Sequence, residues 1–183
     1  MPPSLAGVIA EQQTVVTLLL GRALPSGRAT PAGIEKLTRA LFGHLRAFEE
    51  IVLPVLGDSK LADAARFAGQ TLADDLAIAL TELQRSGSTA LYEQMRGASA
   101  RLFTAEARLL RDPISVARIV AVPDLAEATE EQFASMMGSD LIEILAKLKG
   151  RTGDRRSIKR RAADRRSRDR RLGILSLGTS RCS

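Results

Sequence analysis

His44 is the only histidine in a chain of 183 residues, and Cys182 the only cysteine. Chemistry that needs several imidazoles or thiolates is therefore excluded, as are an intramolecular disulfide and a cysteine-based structural zinc site. Two further polar residues interrupt otherwise apolar helical stripes. Gln12 lies among Leu5, Val8, Ile9, Val15, Val16 and Leu19, and Glu106 lies between Leu102 and Leu109. A polar side chain at an apolar position must find a hydrogen-bond partner if it is buried. The first reading of Gln12, His44 and Glu106 is thus a hydrogen-bonded polar cluster inside the fold. The others are side chains left at the solvent edge, and a mononuclear metal site of two or three weak ligands. The adjacent acids Glu49–Glu50 and Asp74–Asp75 suggest paired acid–base groups. Neighbours on a helix diverge by about 100°, however, and cannot flank one substrate. They read as solvated faces, with Arg46 four residues before Glu50 and placed to pair with it. No glycine-rich phosphate loop, nucleophile elbow or Ser–Lys arrangement occurs, so no catalytic constellation is expected and the chain is read as not an enzyme.

The elements that must position these residues are helical. Hydrophobic residues make up 45% of the chain but aromatics only 3%, with no Trp, which favours helices over a β-sandwich or barrel. Four segments carry helical periodicity between turn signals. The first runs from about residue 4 to 24 and stops at PSGRATPAG. The second, about 31 to 56, carries the stripe Ile34, Leu37, Leu41, Leu45, Phe48, Val52 and Val55. The third, about 59 to 84, aligns Leu61, Ala65, Ala68, Leu72 and Leu76. The fourth, about 89 to 111, aligns Leu91, Met95, Ala98, Leu102 and Leu109 and stops before Pro113. Single apolar stripes with short connections predict an all-α fold, an up-down-up-down four-helix bundle over residues 4–115. A connector over 116–128 precedes a fifth, amphipathic helix over 129–149. Thr129 and Gln132 suit a capping box there, and Phe133, Met137, Leu141, Ile144 and Leu148 form its stripe. That stripe is expected to pack on the bundle, or to pair with a protein partner or a second copy.

The second segment contains HLRAFEEIVLPVL (44–56) and the fourth LFTAEARLLRDPI (102–114). Both resemble the hemerythrin-like (HHE cation-binding) domain. Its second helix reads His, a Glu four residues on, an acidic pair and an apolar-Pro-apolar ending, and its fourth helix repeats the pattern. The resemblance covers roughly residues 5–115. It implies a four-helix bundle around a di-iron centre, in a family that binds oxygen, senses redox state or stores iron. Position by position, His44 matches the family histidine of the second helix, but Phe48 stands where its Glu belongs. Glu106 matches the carboxylate of the fourth helix, with Leu102 in place of its histidine. Gln12 occupies what looks like the histidine position of the first helix, and the third presents only Ala65, Ala68 and Leu72 inward. The resemblance therefore implies a lost di-iron site, with His44, Glu106 and Gln12 as its remnant. No cofactor is expected, iron being the one candidate.

The net charge of +6 is unevenly spread. Residues 151–183 hold 12 basic and 3 acidic residues, a net +9, whereas residues 1–150 hold 15 basic and 18 acidic, a net −3. The tail, 150–183, reads as a disordered basic arm. Its candidate anion- or partner-binding residues are Arg155, Arg156, Lys159, Arg160, Arg161, Arg165, Arg166, Arg168, Arg170 and Arg171. Arginine forks suit phosphate and carboxylate. Without aromatics, nucleic-acid binding would be phosphate-directed and salt-sensitive. An acidic protein or an anionic lipid surface are the other partners this arm would fit. No charged segment precedes the first apolar residues and no apolar run approaches the ~20 residues of a membrane span, so a cytoplasmic chain is expected. The functional expectation is a non-catalytic interaction, signalling or scaffold module. The alternatives are an atypical metal or oxygen/redox sensor, and a nucleic-acid-associated protein using its tail.

Overall fold

Several of the helices begin where a side chain satisfies their first free amides. The computed structural model describes residues 4–23, 31–86 and 89–148, all within one compact unit, Met1–Leu148; the described residues form helices and turns and no strand. The basic arm and Cys182 lie outside the described residues. Helix α1 (Leu5–Ala23) follows Ser4, whose Oγ accepts from the Gly7 amide at 3.1 Å. Helices α2 (Pro31–Ala47) and α3 (Leu53–Leu56) are one continuous run joined by a π-turn, Phe48–Val52. Helix α4 (Lys60–Ser86) starts at Ser59, whose Oγ accepts from the Ala62 amide at 3.0 Å, and α5 (Thr89–Leu109) completes the four long segments.

The π-turn has a covalent cause. Pro54 has no N–H to offer the carbonyl four residues back, so the ladder must break or widen near it. It widens, and the Leu53 amide donates to the Phe48 carbonyl five residues back. The extra residue re-phases the stripe, so that Phe48, Val52, Leu53 and Leu56 are all buried while Val55 is only half-buried. The run ends at Gly57, whose φ of +65° is one that L side chains rarely adopt. Arg118 covers this end by donating to the Leu56 carbonyl.

Beyond residue 109 the structure corrects the expected connector and fifth helix. The stretch DPIS starts a helix rather than merely stopping one: α6 (Pro113–Val120) has Pro113 in its first turn and Asp112 as N-cap. The Asp112 carboxylate accepts from the Ser115 amide and hydroxyl, each at 2.9 Å. These bonds, the backbone one first, hold its pKa below the usual carboxylate value. Helix α7 (Leu125–Met137) begins four residues before the expected capping box. Thr129 is inside it and fully buried, its Oγ donating back to the Leu125 carbonyl at 2.6 Å. The expected single helix over 129–149 breaks at Gly138–Asp140. A separate helix, α8 (141–148), follows, with Asp140 Oδ1 accepting from the Ile142 amide at 3.0 Å.

Packing joins α1 to α2, α5 and α7, α2 to α4 and α7, α4 to α5, and α3 to α6. Helix α2 is buried almost all round: Phe42, Gly43 and Ala47 lie off the expected stripe and are as covered as Leu41 and Leu45. The cover on this second face is α7, and of the two expected uses of the 129–149 stripe the structure shows packing within the chain. Ile144 and Leu148 are buried in the same apolar cluster as Leu41 and Phe42, with Met137 and Leu141 packed against it. The close approach of α2 and α7 depends on Gly43. A Cβ there would meet Met136 Cβ and Phe133 Cδ2 at 3.2 Å and the Phe133 carbonyl oxygen at 3.3 Å. Gly97 in α5 has room, its nearest neighbour being Arg101 Nη1 at 3.5 Å. Gly97→Ala should therefore stabilise by about 1 kcal/mol through helix propensity. Gly43→Val should destabilise by about 2 kcal/mol by overpacking. Thermal and urea unfolding of the two variants check this opposition of sign.

Candidate functional site

Each helix that could supply a ligand interrupts its apolar sequence with one polar residue at a matching level. On α1, Gln12 falls between Ile9 and Val16; on α2, His44 falls between Leu41 and Phe48; on α5, Glu106 falls between Leu102 and Leu109. In each trio the apolar neighbours belong to different clusters. Val16, Leu41 and Leu102 belong to one, and Ile9, Phe48 and Leu109 to the other. The three polar residues thus form a layer between two apolar layers. They are 3%, 0% and 0% exposed respectively, which removes the solvent-edge reading.

The structure brings all three together. His44 Nδ1 is 3.0 Å from Gln12 Oε1, and His44 Nε2 is 3.1 Å from Glu106 Oε2. Gln12 Nε2 donates to the Thr129 carbonyl of α7 at 3.3 Å, and Gln13 Nε2 donates to Glu106 Oε2 at 2.7 Å. A backbone carbonyl only accepts, so the Gln12 amide must turn its nitrogen toward Thr129 and its oxygen toward the ring. His44 Nδ1 is then the donor. The opposite contact is either an imidazolium–carboxylate pair or a neutral imidazole accepting from a carboxylic acid, and both forms leave the pair without net charge. Phe103 packs edge-on against the His44 ring, with centroids 5.2 Å apart and an interplanar angle of 84°. Glu106 Oε1 is buried and has no hydrogen-bond partner among the described residues.

Chemically this arrangement is nearly closed. Both imidazole nitrogens are engaged by side chains, and Ala65 and Leu72, the inward residues expected of α4, are buried and apolar. Among the described residues no group of three or more His, Cys, Asp and Glu is placed to hold a metal ion. Phe48 is 1% exposed and lies in the second apolar cluster. The adjacent acids behave mostly as expected. Glu50 pairs with Arg46 and accepts from Gln132 Nε2 at 2.6 Å. Asp75 departs from the solvated reading: its side chain is 12% exposed and accepts from Gln94 Nε2 at 2.8 Å, tying α4 to α5. Sequence reasoning missed Gln13, Phe103 and the Thr129 carbonyl. Gln13 had a signal, a second amide beside Gln12, but a main-chain acceptor on α7 has none.

If the layer is a closed hydrogen-bonded unit, removing one member strands another in the core. His44→Leu and Glu106→Leu should each destabilise by about 3–5 kcal/mol. The double variant should recover a large part of that loss, because no buried charge is left alone. Urea unfolding of the two single variants and the double variant measures the coupling; simple additivity would mean that the contacts carry no energy.

The chain matches no protein-family model, no curated protein and no solved structure.

Proposed function

We propose that this chain is a non-catalytic interaction or scaffold module. In this reading α1, α2, α4 and α5 form a hemerythrin-like four-helix bundle whose di-iron ligands have been replaced by hydrogen bonds. The observation that carries it is the engagement of both His44 nitrogens, by Gln12 at 3.0 Å and Glu106 at 3.1 Å, in a site closed to solvent. A metal ion would have to displace one of these bonds and would find no second imidazole. The pairings α1–α2, α2–α4, α4–α5 and α5–α1 support the four-helix arrangement. Exposed aliphatic side chains on α6, Ile114 at 67% and Val120 at 78%, support an interaction role. A partial metal site is favoured by one observation only, the unpartnered Glu106 Oε1.

Elemental analysis and an ultraviolet–visible spectrum of protein purified from iron-supplemented culture separate these readings. The expected outcome is no stoichiometric metal and no oxo-bridge absorption; stoichiometric iron would establish the partial site instead. Phe48→Glu, which restores the family carboxylate, should not confer iron binding. It should lower stability by about 3 kcal/mol or more, because it buries a charge without a partner. A thermal melt of that variant checks the loss.

A further inference from the structure

An open groove of about 610 Å³ lies where α6 meets the start of α7. Its floor is aliphatic, formed by Leu5, Ile119, Val120, Val122, Pro123 and Leu125, and its remaining wall carries Asp124, Glu127 and Glu130. Among the described residues no basic side chain lines it. None of the three carboxylates makes an ion pair or a side-chain hydrogen bond among the described residues, although ion pairs occur elsewhere, at Arg39–Glu35 and Lys147–Glu143 for example. Asp124 is the one non-glycine described residue with positive φ, +65°, and it stands at the N-cap of α7 without using its carboxylate as a cap. The floor is equally unfinished, for Val120 is 78% exposed and Val122 38%.

We infer that this groove binds a cationic peptide segment with an aliphatic anchor, supplied by a partner protein. The inference rests on the interaction-module reading and names the partner chemistry. Charge complementarity selects that occupant. A neutral apolar segment would cover three carboxylates without pairing them, which costs desolvation. A nucleic acid or an anionic membrane would be repelled by them. A basic segment sets Lys or Arg against Asp124, Glu127 and Glu130 while leucine- or isoleucine-type side chains fill the floor over Val120 and Ile119. Recognition of this kind is steered by charge and weakens with salt.

The test uses the full chain and a fluorescein-labelled helical peptide with leucines on one face and lysines on the other. Fluorescence polarisation should show saturable binding that falls as salt rises. The triple substitution Asp124→Asn, Glu127→Gln and Glu130→Gln lies wholly on the surface and should weaken binding about tenfold. Val120→Ser should weaken it without changing the salt dependence. Absence of saturable binding, or equal binding by the triple variant, overturns the proposal. Equal binding of an analogue with glutamine in place of lysine also overturns the charge assignment, while the interaction-module reading stands. Stoichiometric iron in the same preparation would overturn that reading without touching the groove.

Discussion

One imidazole sealed between two apolar layers sets the terms for the rest of this fold. A buried His44 cannot be left half-satisfied, because each unpaired polar atom in a low-dielectric interior costs more than the bond it fails to make would return. Its two nitrogens point in different directions, so two helices must present hydrogen-bond partners at the same level. Helix α1 does so with Gln12 and α5 with Glu106. The Gln12 amide then needs an acceptor of its own, and α7 supplies the Thr129 carbonyl. Four helices are thereby held in one register by a chain of bonds that tolerates little sliding. Apolar layers alone are less demanding, since leucines repack with modest cost.

The same requirement accounts for α7. A four-helix arrangement covers one face of α2, yet Phe42, Gly43 and Ala47 are buried on another. Helix α7 closes that face, with Gly43 allowing its backbone to come near and Gln132 reaching Glu50 at the π-turn. The break at Gly138–Asp140 then lets α8 turn its Ile144 and Leu148 into the core. What would be a free amphipathic helix becomes part of the interior. Exposed aliphatic surface lies instead on α6 and the start of α7, beside carboxylates that make no ion pair among the described residues.

The helices were readable because each has a repeating apolar stripe and a local start or stop signal. Ser4 and Ser59 cap helices where the chain has a serine before an apolar-periodic run. Gln12 and Glu106 were readable as buried because a polar residue in an apolar stripe has few other places to go. Asp112-Pro113 and Gly138-Ser139-Asp140 carried start signals as well. They are short, and a proline or glycine after a long helix reads first as its end. The π-turn was not legible. Pro54 announces a disturbed ladder but does not say whether the helix will stop, kink or widen, and that depends on whether Leu53 and Leu56 find a core to enter.

The amino-acid sequence by itself determined the inventory: one imidazole, no thiolate cluster, helical stripes, and a mildly acidic body joined to a strongly basic arm. These follow from composition and from periodicity, which are properties of neighbouring residues. Tertiary structure alone decided who satisfies whom. That Gln12 turns its oxygen to His44, and that Glu106 Oε2 meets both His44 and Gln13, are relations between residues far apart in the chain. Hydrogen-bond partners are chosen by distance and direction in space, and a linear pattern contains neither.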